Sequence, residues 1–187
     1  MKKIIVFASG GGSNFEAIAK ACSEGRAKGQ IVLLVASKPG IGALDKAAKY
    51  NIPVFIEGGG DFAATLQAIK PDLICLAGYL KKVPQRIIDI CPVMNIHPAL
   101  LPRHGGKGMH GHHVHKAVLE AGEKATGVTV HFIDADYDKG QIIAQTKVPV
   151  LPGDTPQTLA ARVLEQEHKL YPHCVQMFCE GKIKHGK

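Results

Sequence analysis

Four stretches of this 187-residue chain hold side chains whose types and spacing could do chemistry. The first is Asn95-Ile96-His97-Pro98, followed by Ala99-Leu100-Leu101-Pro102. In extended backbone, residues i and i+2 point the same way, so Asn95 and His97 aim an amide and an imidazole into one space. Such a pair can donate hydrogen bonds to a developing oxyanion and shuttle a proton; the bland alternative is a polar strand end before a Pro-rich loop. The second is Ser9-Gly10-Gly11-Gly12-Ser13-Asn14. Glycines let backbone approach a phosphate closely, and a helix opening there would supply bare N–H groups and a partial positive charge. The dinucleotide pattern GxGxxG fails at Phe15, and no Gly-Lys-Ser/Thr follows, so a phosphate monoester fits better than a dinucleotide or the phosphates of a P-loop. A tight strand-to-helix turn is the plain reading.

The third stretch is Asp134-Ala135-Asp136-Tyr137-Asp138-Lys139-Gly140. An EF-hand loop would need Glu at its twelfth position, where Gln145 stands. One of these carboxylates could instead face His97 and raise its pKa, or the segment could be a solvated turn. The fourth is a density of histidines: His97, His104, His110, His112, His113 and His115. No HExxH or usual zinc spacing completes a ligand set, so no metal is expected.

These groups need elements to hold them. Apolar, β-branched runs predict strands over 3–8, 30–37, 53–56, 72–78 and 93–96, with helices or helical turns over 14–23, 41–50, 61–69 (Asp61 as N-cap) and 84–89. That alternation predicts a parallel α/β sheet. Beyond it, 111–120 reads as a helix and 127–133 as a half-exposed strand, since Val128, Val130 and Phe132 alternate with Thr129 and His131. Residues 141–149 read as its antiparallel partner. A last helix spans 154–180, with a capping box of Asp154 and Gln157, Pro156 in its first turn, and Pro172 expected to kink or interrupt it. The expected fold class is α/β: a mostly parallel, Rossmann-like twisted sheet with flanking helices, a C-terminal antiparallel strand pair and a long final helix. One domain, 1–187, is expected, with a phosphate-binding half (1–100) and a second half of loops, hairpin and final helix (101–187).

Composition narrows the partners. Lys plus Arg total 23 against 16 acidic residues, a formal charge of +7. This suits small anionic substrates better than nucleic acid, because aromatics are 5%, Trp is absent and no basic run exceeds two residues. The longest apolar run, 31–36, is six residues, against roughly 20 for a bilayer span. The N-terminal apolar stretch is too short for a secretory signal, so a cytoplasmic location is expected. Five cysteines, Cys22, Cys75, Cys91, Cys174 and Cys179, with no CxxC, read as reduced thiols.

Taken in order, the 10–14 turn after a strand, Asn95-Ile96-His97-Pro98 with Leu100-Leu101-Pro102, His131-Phe132 leading to Asp138-x-Gly140-Gln141-Ile142-Ile143, and Glu167-His168 on the last helix resemble the phosphoribosylglycinamide formyltransferases over nearly the whole chain. The resemblance implies direct, metal-free transfer of a formyl group from the co-substrate 10-formyltetrahydrofolate to the amine of glycinamide ribonucleotide. It puts Asn95 and a cationic His97 on the oxyanion, with Asp138 keeping His97 protonated and helping, through water, to move a proton. It puts the phosphate on the backbone of Gly11, Gly12 and Ser13 with Asn14 at the helix entry, and the ribose hydroxyls on Glu167. Leu80, Lys81, Lys82, Val83 and Asp134 fall on the folate side, Leu80 and Val83 as its apolar wall. His113 falls beside the catalytic pair, or equally on an exposed helix start. Small-molecule partners and a monomer or homodimer are implied, with no membrane partner.

Four departures from relatives stand out: a short 57–61 segment, where contact to the folate glutamate tail is lost or rebuilt; Lys81-Lys82 in place of Arg and an apolar residue; a long Gly-rich loop, 103–109; and an early end near Lys187. The rival readings are a 10-formyltetrahydrofolate hydrolase, disfavoured by the lack of an N-terminal regulatory domain; an initiator-tRNA formyltransferase, disfavoured by the lack of a C-terminal RNA-binding domain; and a noncatalytic phosphometabolite-binding domain.

Overall fold

The computed structural model describes residues 1–60, 62–134, 136 and 138–186. Seven strands form one sheet: β1 (Lys2–Ala8), β2 (Gly29–Ala36), β3 (Val54–Ile56), β4 (Leu73–Leu76), β5 (Val93–His97), β6 (Ala125–Phe132) and β7 (Ile142–Pro149). Their order is β3-β2-β1-β4-β5-β6-β7. Strands β1 to β5 run parallel, as the continuous apolar runs predict. Strand β6 then enters antiparallel to β5, and β7 antiparallel to β6.

The helices are α1 (Ser13–Ser23), α2 (Ala43–Lys49), α3 (Phe62–Ile69), α4 (Gln85–Ile88), α5 (His112–Glu120) and α6 (Pro156–Cys179). Side chains alternate across β1. Ile4, Val6 and Ala8 enter a core with Phe15 and Ile18 of α1 and Val163 and Tyr171 of α6. Ile5 and Phe7 enter a second core with Leu66 of α3 and Ile87 of α4. Strand β5, which ends at His97, pairs with β6, which begins at Ala125, so strands from both halves lie in one sheet. The expected N-cap, Asp61, lies outside the described residues.

Three expectations need correction. Strand β6 is buried on both faces, Thr129 and His131 included: its polar side chains face a closed hydrogen-bonded layer rather than water. The capping box of α6 is Thr155 with Thr158, not Asp154 with Gln157. Asp154 instead accepts from the Leu151 amide, the Thr158 hydroxyl and the Arg162 guanidinium. Nor does Pro172 interrupt α6, which continues to Cys179. Pro172 is buried directly after the stripe Leu159, Val163, Glu167, Tyr171, which packs on the sheet. Tyr171 donates its hydroxyl hydrogen to the Met94 carbonyl at 2.8 Å, with the Leu76 carbonyl at 3.1 Å, so α6 is anchored to β4 and β5.

A Cβ on Gly140 would lie 1.9 Å from the Phe132 carbonyl oxygen. This close approach closes the β6–β7 connection. Gly140→Ala should therefore cost about 1–3 kcal/mol and lower the melting temperature by roughly 2–4 °C per kcal/mol. An unchanged thermal melt would contradict this account.

Candidate functional site

The order of β3-β2-β1-β4 makes the carboxyl ends of β1 and β4 neighbours whose chains depart in different directions, the place where open α/β sheets take ligands. The Ser9 amide donates to the Gly78 carbonyl at 3.2 Å, and the Leu80 amide to the Ser9 hydroxyl at 3.1 Å. A cleft of ≈ 490 Å³ opens here. Asn14, Leu80, Lys81, Lys82, Val83, Asn95, His97, Asp134, Asp138 and Glu167 all line it.

The glycine turn shapes one end. Gly12 has φ +72°, and a Cβ there would lie 2.7 Å from that of Ala43, so the turn is pressed against α2. Gly12 caps α1 with no side-chain hydrogen bond. The first-turn N–H groups of α1 have no partner within the helix, and Gly11, Gly12 and Ser13 form their approach. The Asn14 amide donates to Glu167 at 2.5 Å. Burial pushes the Glu167 carboxyl above its ordinary value, only partly offset by Asn14.

Strand pairing builds the other end. Asn95 sits opposite His131, and His97 opposite Thr129. The Asn95 amide lies 3.2 Å from His131 Nε2, while His131 Nδ1 lies 2.9 Å from the Phe132 carbonyl. A carbonyl only accepts, so Nδ1 carries hydrogen and Nε2 is free to accept from Asn95. The other amide hydrogen of Asn95 is left for the cleft. Thr129 donates to the Ala99 carbonyl at 2.7 Å and accepts from the Leu101 amide at 3.0 Å and from Gln145 at 2.8 Å. That buried hub fixes the turn after His97. His131 has the role sequence reasoning missed; its place directly opposite Asn95 is visible only once the register is known.

His97 is buried, with Nε2 2.8 Å from the His104 carbonyl and Nδ1 3.6 Å from Asp138 Oδ2. By the same logic Nε2 bears hydrogen and Nδ1 is the titrating atom. Burial pushes the His97 pKa below its ordinary value, outweighing the attraction of Asp138 and the His104 carbonyl. The resemblance implies a cationic His97, whereas burial here favours the neutral ring. Burial also raises Asp138, but the nearby His131 and His97 imidazoles, at 3.5 and 3.6 Å, and the Gly106 amide together bring it below the ordinary carboxylate value.

His113 is exposed and does not itself line the cleft, but it stacks edge-on at 5.4 Å with His110, which does. His115 is the buried one, because Val114 and Val118 set the inward face of α5. Val83 is buried while Leu80 is largely exposed. Lys81 donates to Glu57 at 2.5 Å and to the Ser37 carbonyl at 3.1 Å; Tyr79 donates to the other Glu57 oxygen. So Glu57 of the short 57–61 segment braces the Gly78–Val83 wall. Among the described residues, no group of three or more His, Cys, Asp or Glu could hold a metal ion, and no helix is long and apolar enough to cross a membrane. The five cysteines are free.

The formyl transferase family model matches residues 2–175. The chain is 45% identical over 196 residues to the chloroplastic phosphoribosylglycinamide formyltransferase of Arabidopsis thaliana, covering 98% of this chain and 67% of that protein. It is 35% identical to the phosphoribosylglycinamide formyltransferase of Haemophilus influenzae, covering 98% of this chain and 90% of the relative. Among solved structures, glycinamide ribonucleotide transformylase 1 of Symbiobacterium toebii superposes with a TM-score of 0.90 at 35% identity, covering 100% of this chain and 92% of that one. The chain spans about two thirds of the length of the plant relatives.

An NMR titration checks the electrostatics. The His97 imidazole should titrate below 6.5, and Asp138→Asn should lower it further by removing the Asp138 carboxylate beside Nδ1. A value above 6.5 in the unsubstituted protein would contradict the assignment.

Proposed function

The chain belongs to the phosphoribosylglycinamide formyltransferase family, and from that premise we infer that it transfers the formyl group of 10-formyltetrahydrofolate to the amine of 5-phosphoribosyl-glycinamide, giving formylglycinamide ribonucleotide and tetrahydrofolate in purine biosynthesis. The observation that carries this reading is convergence. Asn95, His97 and Asp138 meet in the same cleft that Asn14 and Glu167 line at its other end. A phosphate on the bare start of α1 and ribose hydroxyls on Glu167 would direct the amine toward Asn95 and His97. The folate would lie along Leu80–Val83 with Lys82 and Asp134 at the rim. Lys81 already engages Glu57.

The amine attacks the formyl carbon, and the carbonyl oxygen becomes an oxyanion. The free Asn95 amide hydrogen is placed to donate to it. Neutral His97 takes the proton of the attacking nitrogen at Nδ1, directly or through water, and the imidazolium is then stabilised by Asp138. That proton passes to the departing folate nitrogen as the C–N bond breaks, returning His97 to neutrality. No covalent enzyme intermediate and no metal enter these steps. The proposal also carries a cytoplasmic location and a monomer or homodimer.

The test is a transfer assay read by product mass, with chelator present. Formylated ribonucleotide should form only when both substrates are added. Free formate without ribonucleotide would mean a hydrolase and overturn the proposal. Asp138→Asn should lower kcat by about 10²–10⁴-fold while leaving ribonucleotide binding unchanged; near-normal turnover would remove Asp138 from the mechanism. Inorganic phosphate should compete with the ribonucleotide, and lack of competition would count against the α1 site.

A further inference from the structure

The loop 103–106 touches both groups assigned to proton transfer. The His104 carbonyl accepts from His97 Nε2 at 2.8 Å, and the Gly106 amide donates to Asp138 Oδ2 at 2.9 Å. The turn is also pressed against its neighbours. A Cβ on Gly105 would lie 2.5 Å from Leu101 Cδ2 and 3.3 Å from Asp138 Cβ.

This conformation is not one the turn would adopt unaided. His104 has φ +52°, in the left-handed region that costs any residue with a Cβ. Glycine would sit there without strain, but it could not reach what the His104 ring reaches. Its Nε2 lies 3.6 Å from Glu123 Oε1, close by but beyond a good hydrogen bond. The preceding residue is held by the same carboxylate: Arg103 Nη1 donates to Glu123 Oε1 at 3.1 Å and to Oε2 at 3.2 Å. Glu123 lies between α5 and β6, in a recess with Leu100, Pro102 and Thr126 that shares no lining residue with the cleft. It therefore touches neither substrate site.

We propose that Glu123 is a positioning residue: by anchoring Arg103 through two hydrogen bonds, beside the His104 ring, it holds the 103–106 turn in the conformation whose carbonyl keeps His97 in its Nε2–H form and whose amide aims Asp138. Nδ1 of His97 is then the atom left to the reaction. The proposal rests on the roles given to His97 and Asp138 above, and its test has a readout that does not require activity.

Long-range proton–nitrogen NMR on the His97 ring reports which nitrogen bears hydrogen. The unsubstituted protein should show the Nε2–H form alone. Glu123→Ala should give a mixture of both forms and lower kcat at least tenfold, within the ~10²-fold that a 1 Å misplacement costs, with both KM values unchanged. Glu123→Gln, which keeps the shape, reads the same signal should the alanine variant not fold. Glu120→Ala, which removes an exposed pair with Lys116 on the same helix, should change none of these. A His97 spectrum unaltered in the Glu123 variants overturns the proposal, whatever happens to kcat or melting temperature. If the protein proves not to transfer formyl groups, the spectrum still decides whether Glu123 sets the His97 form.

Discussion

Polar side chains that enter a protein interior must close their hydrogen bonds there, because an unpaired buried donor or acceptor costs roughly 1–3 kcal/mol. That constraint governs the β5–β6 pair. Asn95, His97, Thr129 and His131 all sit in register across it. His131 closes on Asn95 and its own neighbour's carbonyl, and Thr129 closes on Ala99, Leu101 and Gln145. The loops that follow β5 and β6 are thus shaped from within. Helix α6 braces the same place from the other core, through Tyr171 on the ends of β4 and β5, and delivers Glu167 one turn earlier.

Electrostatically, burial lowers the His97 pKa and the groups around Asp138 lower that of its carboxyl, which favours a neutral imidazole beside an ionised carboxylate. Burial disfavours a charge on His97 more than Asp138 favours it. A separation of 3.6 Å, beyond a good hydrogen bond, leaves the carboxylate able to stabilise a proton that arrives without holding one beforehand. A base neutral near pH 7 that becomes an acid after one proton transfer is what the proposed acyl transfer to nitrogen needs. At the opposite end, Asn14 and Glu167 link α1 to α6 in a buried hydrogen bond. The two ends are set by independent elements of one sheet.

Much of this was legible in the residues. Buried apolar runs gave the parallel strands, and i, i+2 parity put Asn95 and His97 into one space. The order of motifs gave the family. What was not legible depended on long-range partners. Alternation in 127–133 reports two faces but not what covers each, so Thr129 and His131 read as half-exposed. His113 and His115 are two residues apart, and the phase set by Val114 and Val118 decides which is buried. Asp154 looked like a cap, but it lies just before α6 and its best partner, Arg162, is two turns into that helix. The contacts of Glu57 with Lys81, and of Glu123 with His104, join loops that no local pattern connects.

The most direct test is a crystal structure with glycinamide ribonucleotide and a folate carrying an unreactive formyl mimic. The account predicts the phosphate on the first turn of α1, and the formyl oxygen within hydrogen-bond reach of the Asn95 amide, with the amine near His97 Nδ1. A formyl group turned away from Asn95 and His97, or a phosphate bound anywhere but the start of α1, would contradict it.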